Sequence, residues 1–323
     1  MPKSLRLGIY VPTQVFFKGE SGDLDHVIIA KHAVSMAQAG VAGIVTNGSN
    51  GEAVYLTREE RLDVTQTTRK ALDEAGFPDL PLIVGASEQS VRGTVRLCED
   101  AATAGGDAVL ILVPSVYKWA MDTSAIERYY TLVADASPLP VIIYNFPGAV
   151  SGIDLDSEIL ERLAIHPNIV GTKFTCGNVG KLARVAGVTH TVTEVSKSKA
   201  CNGHGGHPYF AFAGIADFIA PSLAVGASGA IVGAANVFPR ACVNVYNLAV
   251  QGKHEEAQEQ QQKLARADWS LTKRAIPGFK AILERYQGYG GVPRQPMAAL
   301  SREAADELCD EIDWMMKIEQ GLR

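Results

Sequence analysis

Long hydrophobic runs are missing from this chain. None reaches the ~18 residues of a membrane-spanning helix, so no membrane partner is expected. Cysteine is sparse: Cys98, Cys176, Cys201, Cys242 and Cys309 are scattered, odd in number, and form no Cys-x-x-Cys pair. That argues against a disulfide framework and for reduced thiols in a cytosolic protein. Excess positive charge is also absent. The formal net charge is -5, which argues against nucleic acid or an anionic membrane as the main partner. Met1-Pro2-Lys3-Ser4-Leu5-Arg6 runs straight into the apolar segment 7–11, so no targeting presequence and a cytoplasmic location are expected.

What is present is an ordinary globular composition, 47% hydrophobic and 20% charged over 323 residues, enough for two domains or for one α/β barrel with an appendage. Short apolar runs at 7–11, 43–46, 82–85, 108–113, 141–144, 169–173, 209–213 and 230–232 are mostly rich in Val and Ile and bounded by Gly, Pro or Asn, as buried parallel strands should be. The aromatic run 209–213 fits that pattern least well. Helical periodicity fills the gaps at 25–39, 57–75, 90–104, 124–135, 156–164 and 179–186; the second opens with the capping box Thr57-x-x-Glu60. Eight strands alternating with helices point to a closed (β/α)₈ TIM barrel. An open doubly wound sheet usually carries a Gly-x-Gly-x-x-Gly turn after its first strand, and none follows Val11. Beyond Phe238 the strand signal ends, and 240–251, 255–274, 279–287 and 302–317 read as helices. The expected organisation is a catalytic barrel over 1–251 and a C-terminal helical extension over 252–323. The glutamine-rich stretch 258–262 reads as a solvated helix face, and 191–208 as a long loop before the seventh strand.

Lys173 stands out in the run Asn168-Ile169-Val170-Gly171-Thr172-Lys173-Phe174. On its own, a lysine at a strand end most often snorkels to water. If it is buried, the low-dielectric surroundings disfavour an ammonium, and the free amine is a nucleophile that forms Schiff bases with carbonyl carbon. In a barrel of this kind the active site lies at the C-terminal strand ends. The second strand ends there in Gly48-Ser49-Asn50-Gly51-Glu52, the fourth in Pro114-Ser115-Val116-Tyr117, the fifth in Tyr144-Asn145-Phe146-Pro147-Gly148, and the sixth in Lys173. The glycine-rich turn could offer backbone N–H groups and a hydroxyl to a carboxylate. Tyr144, one strand from Lys173, could move protons. Each signal is weak alone: a glycine turn is usually a turn, and a strand-end tyrosine usually packs. Together they are more specific.

Gly48-Ser49-Asn50-Gly51-Glu52, Tyr144-Asn145-Phe146-Pro147-Gly148 and Ile169-Val170-Gly171-Thr172-Lys173, in this order and spacing, resemble the signatures of the dihydrodipicolinate synthase / N-acetylneuraminate lyase family. The resemblance extends to Ile276-Pro277-Gly278-Phe279-Lys280 and Gly288-Tyr289-Gly290-Gly291. It implies a (β/α)₈ barrel with a C-terminal helical domain, usually a tetramer. The activity implied is that of a class I aldolase or lyase acting on a 2-oxo acid, without metal or organic cofactor. It further implies that Lys173 carries the Schiff base, that Tyr144 shuttles protons, and that Ser49 and Asn50, with Gly48 and Gly214, line the substrate site. The partners expected are a 2-oxo acid, an aldehyde, and further copies of the chain in a dimer or tetramer.

Departures from the family pattern narrow the reaction. The synthases carry an arginine shortly after the fifth-strand tyrosine, where this chain has Tyr144-Asn145-Phe146-Pro147-Gly148-Ala149-Val150. Arginine is the natural carboxylate clamp, so its absence counts against a synthase. Phe174 stands where a glutamate is usual. Gly48-Ser49-Asn50-Gly51-Glu52-Ala53-Val54, Gly85-Ala86-Ser87-Glu88-Gln89-Ser90 and Gly171-Thr172-Lys173-Phe174-Thr175-Cys176 resemble the fungal members that cleave L-threo-3-deoxy-hexulosonate to pyruvate and L-glyceraldehyde. Cleavage of 4-hydroxy-2-oxoglutarate is the alternative, then the synthase reaction, and a silent barrel that binds a 2-oxo acid is the non-enzymatic one. The family also places a tyrosine at the position of Val116. Either Tyr117 takes its role, or the proton relay is altered.

Other residues read as structural. His190, His204 and His207 lack a third placed ligand, so a metal site is not expected. Gly226-Ala227-Ser228-Gly229 precedes the eighth strand, at the wrong end for a phosphate loop. Asp217 either reaches a substrate hydroxyl or caps a helix, the cap being favoured. Cys176 reads as packing.

Overall fold

The structure is a computed structural model that describes residues 2–19, 21–189, 191–193 and 208–322. Parallel strands close into a barrel; in chain order they are β1 Gly8–Pro12, β2 Gly43–Thr46, β3 Leu82–Gly85, β4 Ala108–Leu112, β5 Val141–Asn145, β6 Ile169–Phe174, β7 Phe210–Ala213 and β8 Gly229–Ile231, with β8 hydrogen-bonded back to β1. The aromatic seventh run does form a strand. Alternation along each strand divides the core in two. Tyr10, Val45, Ile83, Leu110, Ile142, Phe210 and Ile231 fill the interior, while Ile9, Ile44, Val84, Ile111, Ile143 and Phe174 pack outward against the helices. A buried position on both faces is what makes these strands continuous apolar runs.

Helices α1 His26–Gln38, α2 Arg58–Glu74, α3 Val91–Thr103, α4 Thr123–Ala136, α5 Ser157–Leu163 and α6 Val179–Val188 each begin at a side-chain cap: Asp25, Thr57, Ser90, Asp122, Asp156 and Asn178. Thr57 and Glu60 form the reciprocal capping box that the sequence predicts. The short α7, Ile219–Ala224, was not legible in the sequence, because Pro221 and Gly226 mask its six residues. It carries no side-chain cap, so the capping role expected of Asp217 is not realised. Asp217 sits instead in the single turn Ala216–Phe218. Gly226 takes φ +101° in a turn at the N-terminal side of β8, the end away from catalysis. His190, His204 and His207 lie outside the described residues.

The C-terminal extension comprises α9 His254–Thr272, α10 Ala275–Gln287 and α11 Arg302–Gly321, following α8 Pro239–Val250. Helix α10 starts four residues earlier than its periodicity suggests, since Pro277 is tolerated in a first turn. The glutamine-rich face of α9 is only partly solvated. Gln261 is buried; its amide donates to Ala216 O (2.8 Å) and accepts from Ala220 N–H (2.8 Å), filling backbone groups left over after β7. Glu319 of α11 is likewise buried and accepts from the first free N–H groups of α8, on Arg240 and Ala241.

A buried carboxylate on α9 is only partly satisfied, by the backbone of Ala216 and Asp217. Asp268 on α9 is 4% exposed, and its Oδ2 finds no hydrogen-bond donor among the described residues. Burial first, and then the nearby Asp217 carboxylate, push its carboxyl up to about 7. The folded chain therefore holds a proton there that the unfolded chain releases near pH 4, and stability falls as pH rises between those values. Asp268→Asn should remove that slope. Thermal unfolding at pH 5 and pH 8 should show the variant gaining several degrees over the parent at pH 8 and little at pH 5. Equal shifts at both pH values would contradict the assignment.

Candidate active site

The register of β5 against β6 brings the two predicted residues together. Tyr144 pairs with Lys173, and Lys173 pairs on its other side with Phe212 of β7. Lys173 is 3% exposed and Tyr144 4%. The lysine Nζ lies 4.1 Å from the centroid of the tyrosine ring, which itself stacks on Phe146. An irregularity between Val141 and Ile142 sets this arrangement: Val141 pairs with Ile169, but Ile142 pairs with Gly171, leaving Val170 over. Ile169 faces the helices; strict alternation from it would aim Lys173 at the helices too. The extra residue reverses the phase, so Lys173 points inward. The end of β5 is held by Asn145, whose amide donates to Asp154 (2.8 Å) and accepts from Leu155 N–H (3.1 Å), while the buried Lys181 ammonium also binds Asp154.

Beside this pair is a cavity of about 240 Å³, whose wall includes Tyr144, Gly48, Ser49, Ser87, Ala149 and Arg61. Lys173 is not in that wall; the Tyr144 ring lies against its amine and forms part of the lining. Ala149, from the arginine-free segment that follows Tyr144, forms part of that wall.

The turn after β2 holds non-glycine residues in left-handed geometry at both ends, Asn47 at φ +54° and Glu52 at φ +50°. Gly51, Glu52 and Ala53 N–H groups are spent within the turn, on Gly48 and Ser49 carbonyls. The N–H groups of Gly48, Ser49 and Asn50 bond to no described residue. They are the ones left for an anion. The Asn50 side chain turns toward β1 and β8: it accepts from Gln14 (3.4 Å) and lies against Gly233.

Of the predicted site residues, Tyr144, Gly48 and Ser49 line the cavity, and Lys173, Asn50, Tyr117 and Gly214 are not in its wall. Tyr117 is 63% exposed and packs edge-to-face on Trp119, ring centroids 5.4 Å apart. Tyr117 lies beyond β4 and directly before a single turn at Lys118–Ala120, where Val116 is exposed as well, at 60%. Gly214 directly follows β7 beside the lysine strand, where a Cβ would meet Thr175 Oγ1 at 2.1 Å. Conversely, Arg61 and Ser87 line the cavity without having been singled out. Arg61 lies in the charged first half of α2 and reads as surface; only the turn it packs against reveals it.

Sequence reasoning also missed what holds the turn. Glu52 and Lys280, 0% and 1% exposed, form an ion pair at 2.7 Å. Lys280 donates as well to Val292 O (3.0 Å), and Glu52 accepts from Arg294 N–H (2.7 Å). The Arg294 guanidinium grips both oxygens of Glu60 at 2.6 and 2.7 Å. Burial works to lower the Lys280 pKa and Glu52 to raise it, with burial the larger effect.

The chain matches the dihydrodipicolinate synthetase family over residues 7–314. It belongs to that family. Relatives include an L-threo-3-deoxy-hexylosonate aldolase of Aspergillus niger, 50% identical over 98% of this chain and 97% of that protein. A probable 4-hydroxy-2-oxoglutarate aldolase, mitochondrial, of Emericella nidulans is 46% identical over 98% of this chain and 96% of that one. Among solved structures, a putative dihydrodipicolinate synthase family protein from Coccidioides immitis superposes with a TM-score of 0.84 at 33% identity, covering 100% of this chain and 99% of that chain. Membership of the family agrees with the barrel and its extension. No helix among the described residues is long and apolar enough to cross a membrane.

Breaking the buried pair should be costly. Lys280→Met alone strands the Glu52 carboxylate and should destabilise the fold by about 3–5 kcal/mol, whereas Glu52→Gln with Lys280→Met should recover much of that loss. Urea denaturation of each single variant and of the double measures it; additive losses would show that the two side chains do not act as a pair.

Proposed function

We propose that this chain is a class I aldolase that cleaves a 2-oxo-3-deoxy sugar acid, L-threo-3-deoxy-hexulosonate, into pyruvate and L-glyceraldehyde. The observation that carries the reading is the buried Lys173 amine held against the Tyr144 ring at the C-terminal strand ends. The resemblance to the Aspergillus niger aldolase supports the choice of substrate.

In this reading the Lys173 amine adds to the C2 ketone, and loss of water leaves an iminium. Tyr144 takes the proton of the C4 hydroxyl. The C3–C4 bond breaks, its electron pair flows into the iminium, and the aldehyde departs from an enamine. Protonation at C3 and hydrolysis return pyruvate and the free amine. The lysine adduct is itself the electron sink, so the sequence of steps asks for no metal or organic cofactor. The free N–H groups at Gly48 and Ser49 serve the substrate's carboxylate.

A cytoplasmic homo-oligomer completes the proposal. Cys98, Cys176, Cys242 and Cys309 are unpaired, as suits a reducing compartment. Val54, Val116, Tyr117 and Trp119 are strongly exposed apolar side chains that a second copy would cover. The second reading, 4-hydroxy-2-oxoglutarate cleavage, is favoured by the Emericella nidulans relative.

Borohydride reduction with pyruvate should leave a stable adduct on Lys173, with the mass of pyruvic acid less one oxygen atom, and none in Lys173→Ala. Tyr144→Phe should lower kcat on the sugar acid by about a hundredfold or more. Absence of the adduct on the parent chain would defeat the mechanism, and faster release of pyruvate from 4-hydroxy-2-oxoglutarate than from the sugar acid would favour the second substrate.

A further inference from the structure

Tyr144 needs a partner for the step assigned to it. A phenol already bears its own proton, so it can take the proton of the C4 hydroxyl only while passing its own to a second group. The sequence offers Tyr117, but the structure leaves Tyr117 and Val116 exposed and outside the cavity wall. The polar side chains that share the wall with Tyr144 are Asn47, Ser49, Arg61 and Ser87. The Asn47 amide spends both its protons, on Arg61 O (2.9 Å) and Thr65 Oγ1 (3.1 Å). A guanidinium has no lone pair to accept with, which removes Arg61. Of these groups only a hydroxyl can accept one proton and release another through the same atom, so the choice falls to the two serines.

Two observations single out Ser87. Leu112 N–H donates to Ser87 Oγ (2.8 Å), which fixes the side chain and still leaves it one lone pair and its own proton. Leu112 is also the β4 residue that pairs with Tyr144, so the residue that holds Ser87 stands directly beside the tyrosine. Ser49 differs on both counts. Its hydroxyl has no hydrogen bond to a described residue, and it belongs to the turn whose N–H groups are left for the carboxylate.

We infer that Ser87 is the proton-relay residue of the aldol cleavage, linking Tyr144 to solvent. The C4 hydroxyl proton passes to Tyr144 Oη. The phenol's own proton crosses over one water to the free lone pair of Ser87 Oγ, and Ser87 releases its own proton to solvent. The C3–C4 electron pair meanwhile neutralises the iminium, so the departing proton balances the charge. The same chain run backwards supplies the proton that the enamine takes at C3. The inference rests on the aldolase reading above, and the experiment keeps the two apart.

Ser87→Ala, Ser87→Thr, Ser49→Ala and Tyr117→Phe are prepared in the full chain, with thermal unfolding to confirm that they fold. For Ser87→Ala, kcat on the sugar acid should fall about a hundredfold, and KM should change less than about threefold. Exchange of the pyruvate methyl hydrogens in D2O, followed by proton NMR, should slow by a similar factor. The pyruvate concentration giving half-maximal borohydride trapping should stay the same. Rates in mixtures of H2O and D2O should follow a curve for the parent, with several protons in flight, and a straight line for Ser87→Ala. A mere displacement of Tyr144 would lower the rate and leave the curve. Ser87→Thr, which keeps the hydroxyl, should restore most of the rate.

Methyl exchange at the parental rate in Ser87→Ala would overturn the inference, as would an unchanged curve. So would a rise in half-saturating pyruvate that matches the loss in kcat, which would make Ser87 a binding residue. A loss confined to Ser49→Ala would move the relay to the turn after β2, and one confined to Tyr117→Phe would give it to the tyrosine of a second copy. If the parent chain forms no pyruvate adduct, the aldolase reading fails and the relay falls with it. A parent that forms the adduct beside a Ser87→Ala that exchanges normally overturns the relay alone.

Discussion

The single leftover residue Val170 governs the chemistry of the barrel interior. Side chains on a strand alternate strictly, so a lysine can be aimed inward only if the phase of its strand is right. Ile169 faces the helices, and from that phase Lys173 would follow it outward. Pairing Ile142 with Gly171 rather than with Val170 reverses the phase and places Lys173 abreast of Tyr144. Gly171 makes the tight approach that follows, since a Cβ there would meet Phe210 O at 2.5 Å. A side chain this polar inside a closed sheet needs company, and the face of Tyr144 supplies it.

The other constraint comes from outside the barrel. The turn after β2 is strained at both ends, and strain persists only where the surroundings impose it. Glu52 is held by Lys280 and by the backbone of Arg294, both from the C-terminal extension. A neighbouring contact does similar work. His32 on α1 is wholly buried, and burial pushes its pKa down to about 4. As a neutral ring it donates from Nε2 to Asn236 (2.9 Å) and accepts at Nδ1 from the Tyr289 hydroxyl (3.1 Å). Asn236 in turn holds Gln14 N–H and Pro12 O at the end of β1. The extension thus acts as a brace for the catalytic mouth, through residues of the two C-terminal segments that carry the family resemblance.

Much of this was readable in the residues. The strands announced themselves because both faces are buried, and most helix starts because Asp, Ser, Thr or Asn caps them. Lys173 and Tyr144 were visible because a lysine in an apolar run and a tyrosine one strand away are chemically conspicuous. Arg61 and Gln261 were not, since each lies in a polar stretch of helix where periodicity predicts solvent. Tyr117 lies outside the cavity wall of the single chain, in the irregular stretch after β4, where no strand alternation tells which way a side chain turns.

Sequence alone determined the alternation of strands and helices, the identity of the amine and the phenol, and the absence of an arginine from the segment after Tyr144. These follow from local rules of burial, capping and side-chain chemistry, which act over a few residues. Only the tertiary structure decided that Lys173 faces inward, that Glu52 is clamped by Lys280 more than two hundred residues away, and that Arg61 reaches the cavity. Each of these depends on register or on packing between elements distant in the chain, and no short-range pattern encodes a partner that folding brings from elsewhere.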